Sequence, residues 1–109
     1  MALSRVIDKG LRVGSADGAH FTQGYWGGAY SDEIYIECVT AGEYVAGLEF
    51  SSLYLDGIGM AAAPTGRNGI NIPSSAIGTI YSVKYRGGQI ANYSGKCVVV
   101  GEGVGRLEF

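Results

Sequence analysis

The stretch Cys38-Val39-Thr40-Ala41-Gly42-Glu43-Tyr44-Val45-Ala46-Gly47-Leu48-Glu49-Phe50 returns at the far end of the chain. There it reads Cys97-Val98-Val99-Val100-Gly101-Glu102-Gly103-Val104-Gly105-Arg106-Leu107-Glu108-Phe109. The shared frame C-V-x-x-G-E-x-V-x-x-L-E-F holds eight identities in thirteen positions, at an offset of 59. Self-similarity at a fixed spacing is the sequence mark of a repeated architecture. Working outward, Gly10-Leu11-Arg12-Val13 matches Gly69-Ile70-Asn71-Ile72 at the same offset, and Tyr25-Trp26-Gly27-Gly28 matches Tyr85-Arg86-Gly87-Gly88 at 60. These matches read as two modules of about 42 residues, 9–50 and 68–109, joined by a connector at 51–67.

Local patterning says what the modules are made of. Ile34, Ile36 and Cys38 alternate with Tyr35, Glu37 and Val39, the period of a strand with one buried face. Gly42-Glu43 supplies turn chemistry, and Tyr44, Ala46, Leu48 and Phe50 alternate again. The repeated frame therefore predicts a β-hairpin, with Gly42 and Gly101 supplying positive φ. Ile77, Thr79, Tyr81, Val83 and Tyr85 predict one face of a further strand. Two short strands are expected around a turn at Asp8-Lys9-Gly10, an irregular loop at 24–30, and another turn at Asn68-Gly69. The connector reads as a crossover loop, in which Met60-Ala61-Ala62-Ala63 is too short to hold a helix alone. No long 3.6-residue period appears. The expectation is an all-β chain forming a single domain over 1–109. Its architecture is a small barrel or sandwich built from the two repeats in a pseudo-twofold relation.

Composition narrows the function classes. The chain has 109 residues, 19 of them Gly and eight Tyr, with 17% charged residues and a net charge of −2. Its eight Lys and Arg are scattered among acids, which excludes the cationic face a nucleic-acid binder needs. No apolar run approaches the ~20 residues of a membrane span. The N-terminus lacks the apolar core of a secretory signal, so synthesis in a cytoplasm is expected. Cys38 and Cys97 are expected as reduced, small, buried strand residues rather than a disulfide.

The frame V-x-x-G-E-x-V resembles the glycine-acid turn of cradle-loop barrels. It is also similar to hairpins of biotinyl-lipoyl hammerheads and of small phage capsid decoration proteins. A biotinyl or lipoyl carrier displays a lysine at its hairpin tip. Glu43-Tyr44 and Glu102-Gly103 stand there instead, which argues against a carrier.

Reactive groups are sparse. His20, the only histidine, has no nucleophile beside it in sequence. The acids Asp32-Glu33, Glu43/Glu102 and Glu49/Glu108 read as solvent-facing hairpin residues rather than a catalytic pair. No zinc or calcium ligand spacing occurs, so neither metal nor cofactor is expected. Gly101 to Gly105 lacks the helix that a phosphate-cradling loop requires. The strongest candidate residues are Tyr25, Trp26 and Tyr30, as interface anchors, core, or a stacking platform for a glycan with Gln23, Ser31 and Asp32 beside it. The expected function is non-enzymatic: a structural protein forming a homo-oligomer or decorating a larger assembly, of the phage capsid-cement or tail type and hence virion-associated. The alternative is a carbohydrate-binding module centred on Trp26.

Overall fold

Eleven short strands form in the computed structural model, which describes residues 7–40, 42–57, 66–73, 80–102 and 104–109. They are β1 (Ile7–Val13), β2 (Ala16–Asp17), β3 (His20–Trp26), β4 (Ala29–Ile36), β5 (Val45–Ala46), β6 (Leu48–Asp56), β7 (Asn68–Ile72), β8 (Ile80–Arg86), β9 (Gln89–Ala91), β10 (Val98–Val100) and β11 (Val104–Glu108). Every pairing among them is parallel. Parallel neighbours cannot be joined by a hairpin and need a long return path. Here the return path is one circuit of the chain itself. A four-stranded sheet carries β1, β4, β7 and β10 in that order, and a seven-stranded sheet carries the other strands. The chain thus climbs through four rungs: β1 to β3, β4 to β6, β7 to β9, then β10 and β11.

The all-β expectation holds, and none of the described residues is helical. The hairpin does not hold. Val45 pairs with Ala16 and Ile80, and Leu48 with Val83, so the segment after Gly42 bonds to neighbouring rungs instead of folding back on β4. Wholly parallel pairing is also unusual for a barrel or sandwich of this size.

Inward columns run through the rungs. Leu11 pairs with Ile34 and Ile34 with Ile70, which pairs in turn with Val98. In the other sheet Leu48 pairs with Val83 and Val83 with Leu107. Ile34, Ile36, Val45, Leu48, Phe50, Ile70 and Ile72 are fully buried between the sheets. Each such side chain stabilises by roughly 1.5–3 kcal/mol. An aromatic column runs alongside: Phe21 stacks on Phe50 at 5.5 Å, Phe50 lies 6.3 Å from Tyr85, and Tyr85 lies 6.4 Å from Phe109.

The corners account for the strand phases that alternation alone misreads. Gly18 and Gly47 sit at φ +72° and +70°, one rung apart, and bend the sheet at the same level. The bend shifts the phase, so Val45, Leu48 and Phe50 all point inward while Tyr44 stays exposed. A second line of left-handed residues runs Gln23, Ser52, Gly87. In β8 Tyr81 is exposed beside buried Ile80 and Val83.

Several smaller expectations are corrected. Asp8 to Gly10 lies within β1, whose pairing with β4 continues past it with a register shift between Ile7 and Lys9. Residues 24–26 continue β3, residues 51–56 complete β6 at the centre of its sheet, and Asn68-Gly69 opens β7. The short run Met60 to Ala63 and the proposed strand start at Ile77 lie outside the described residues.

Candidate functional site

Tyr25, Trp26 and Tyr30 do not form one cluster by their register. Tyr25 and Trp26 end β3, opposite Tyr54 and Leu55, whereas Tyr30 is the second residue of β4, in the other sheet. Tyr25 is exposed, and its hydroxyl donates to Asp56 Oδ2 at 2.5 Å. That hydrogen bond to a carboxylate raises the phenol above its ordinary value. Asn92 Nδ2 donates to the other oxygen of Asp56 at 2.9 Å, so the acid ties three rungs together. Trp26 turns back over Gly24, where a Cβ would stand 2.8 Å from its Nε1. Its ring meets Phe21 edge-on at 6.0 Å.

Around these rings lies a cleft of about 440 Å³, lined by Gly10, Leu11, Phe21, Tyr25, Trp26, Gly27 and Glu33. It opens at the first rung. A second groove of about 230 Å³ lies along the same end, where Ala16 and Ala19 leave space beside Val13, Phe21 and Leu48. Among the described residues no strand pairs with the outer edges of β1, β2 and β3.

Glu33 is buried, contrary to its expected solvent-facing role. Its Oε1 accepts from Tyr93 Oη at 3.0 Å and from the Ala29 amide at 3.4 Å. Beside it Arg67 is the largest fully buried side chain among the described residues. Arg67 Nε donates to the Ala29 carbonyl and Nη1 to the Gly57 carbonyl, each at 2.8 Å, and its guanidinium lies 5.5 Å from the Tyr93 ring centre. Nη2 finds no hydrogen-bond partner among the described residues. Burial first, then the Glu33 charge, hold the Tyr93 phenol far above its ordinary value. The cluster closes the corner between successive rungs. Nothing in local spacing marks it, since its members lie up to 60 residues apart.

The polar partners expected for a glycan are mostly engaged elsewhere. Lys9 Nζ bonds Ser31 Oγ at 2.7 Å and Asp32 Oδ2 at 2.6 Å, and Asn68 Nδ2 donates to Asp32 Oδ1 at 2.9 Å. These form a ladder across β1, β4 and β7. Gln23 is exposed at a left-handed corner.

One pair escaped local sequence reasoning. His20 Nε2 lies 2.8 Å from Ser51 Oγ. Both sit on paired strands at an exposed face, and among the described residues no third group orients the other ring nitrogen. The two cysteines differ: Cys38 is buried and Cys97 is exposed, neither lies in a strand, and no disulfide joins them. The expectation of two equivalent buried strand cysteines is therefore corrected. No group of three metal-ligating side chains occurs among the described residues. No helix among them is long and apolar enough to cross a membrane.

At the opposite end, β10 and β11 form the last rung. Phe109 is 61% exposed and Val100 44%, while Val98, Val104 and Leu107 are half-buried. The outer edges of both strands have no strand partner among the described residues. No family model, curated protein or solved structure matches the chain.

Proposed function

We propose that this chain is a non-enzymatic structural protein that assembles with its own kind or joins a larger protein assembly. The observation that carries this reading is the last rung, where Val100 stands exposed on β10 and Phe109 just beyond the end of β11, and both strands have an open edge. Exposed apolar surface joined to unpaired strand edges favours association. The sparse charge and a net of −2 leave little electrostatic repulsion to oppose it. A capsid-decorating or tail component of a phage virion is the class of assembly we favour, on composition and on the resemblance of the glycine-acid turn. The repeated sequence frame enters this proposal through shared columns, at Val45 with Val104 and Leu48 with Leu107.

Light scattering on the purified chain over a dilution series tests the reading. Mass above that of one chain supports it, and a monomer throughout overturns it.

A second reading has its own observation, the cleft beside Trp26 with Tyr25 at its rim. An aromatic wall of this kind suits the apolar face of a sugar ring. Quenching of Trp26 fluorescence by a soluble oligosaccharide, lost in Tyr25→Ala, would favour it.

A further inference from the structure

The two ends of the stack match each other column by column. The first rung presents Leu11, Val13, Ala16, Ala19 and Phe21. The last presents Val98, Val100, Val104, Leu107 and Phe109, which stand at the heads of the same columns. Where the inner rungs carry Val45 and Leu48, the first carries Ala16 and Ala19, and the groove of about 230 Å³ lies there. Val104 and Leu107 have the size that this groove lacks. The aromatic column, spaced at 5.5, 6.3 and 6.4 Å, ends in exposed Phe109 at one end and in Phe21 inside the larger cleft at the other.

Charge follows the same rule. One outward column runs His20, Glu49, Lys84, Glu108, alternating a basic and an acidic group at each rung. A further copy would set its His20 against Glu108 and continue the alternation. Both end edges are those of parallel strands, so continuation keeps strand direction.

We propose that the last rung of one copy, β10 and β11, seats on the first rung, β1 to β3, of a second copy. Val104 and Leu107 fill the Ala16–Ala19 groove, and Phe109 enters the cleft against Phe21 and Trp26. The inference rests on the assembly reading above and specifies its geometry. The contact joins two different surfaces, so it is heterologous and grows linearly unless the rotation between copies closes a ring.

Cross-linking reads this register. Neighbouring parallel strands lie about 4.8 Å apart, within the Cα separation that a disulfide accepts. In a Cys97→Ser background, His20→Cys combined with Glu108→Cys places one thiol at each end of a chain. Within one chain the two are three rungs apart, about 14 Å, and cannot join. Mild oxidation is expected to give a ladder of covalent multimers from the double variant. An equimolar mixture of the two single variants should stop at dimers. Phe109→Ser, with the engineered thiols retained, should weaken the ladder at least tenfold at equal concentration. Association of the wild type by light scattering, with no ladder from the double variant, would overturn the end-to-end geometry and leave the assembly reading standing. A wild type that stays monomeric would overturn both.

Discussion

Leu48 and Leu107 lie on opposite sides of one residue, Val83, each a single strand away from it. They are 59 positions apart in the chain, the spacing of the repeated frame. Chemically identical, they differ in what covers them: Leu48 is fully buried and Leu107 half-buried on the last rung. Leu48→Ala should therefore destabilise the monomeric fold by about 3 kcal/mol and Leu107→Ala by about 1 kcal/mol. Urea titrations at a concentration low enough to suppress association check the difference. Equal losses would mean that the last rung is not an open end.

Arg67 is expected to matter more than any acidic or basic group on the outer faces. Its guanidinium holds two backbone carbonyls from different corners, and Arg67→Met strands both in a buried place. The expected cost is about 3 kcal/mol. Arg86→Met, which removes exposed pairs with Glu49 and Glu108, should cost under about 1 kcal/mol. Denaturation midpoints of the two variants give the comparison directly.

The recurring frame is legible in the sequence, but only part of it falls on the strand register. The V-x-x-L-E-F portion falls on register: Val45 to Ile80 to Val104 and Leu48 to Val83 to Leu107 each span two rungs. So does Leu11 to Ile34 to Ile70. The C-V-x-x-G-E portion does not, because Cys38 follows β4 whereas Cys97 precedes β10. Nor does Tyr25 match Tyr85. Phe50 pairs with Phe21 and with Tyr85, so Phe21 holds the equivalent place. Alternation finds strands and cannot find their partners. A strand in a coil bonds to residues one circuit away, and circuits here range from 22 residues, Ile7 to Ala29, to 36, Ile34 to Ile70. Glycine is abundant here, and turns account for only part of it. Much of it serves corners such as Gly18 over Gly47, and close approaches such as Gly88, whose Cβ would meet the Leu53 carbonyl oxygen. The aromatic candidates Tyr25 and Trp26 are visible as a local segment, but the cleft beside them needs Leu11 from β1 and Glu33 from β4.

Alkaline pH should weaken the fold through its inner tyrosines. Burial pushes the Tyr85 phenol from 10.0 up to about 12. Between those values the unfolded chain sheds its proton while the folded chain keeps it, so the stability present below pH 10 is lost as pH rises. The expected fall is roughly 2 kcal/mol across that window. Tyr93, raised in the same direction, adds to it. Tyr85→Phe should flatten part of the decline while costing about 1 kcal/mol at neutral pH, through its lost hydrogen bond to the Leu53 carbonyl. Thermal melts at pH 8, 10 and 11.5 separate the two effects.

The most direct test of the assembling stack is the weight-average mass of the wild-type chain by light scattering, followed over a hundredfold range of concentration. The expected result is a mass that starts near the 11.4 kDa of one chain and climbs with concentration. A constant 11.4 kDa across the whole range would contradict it.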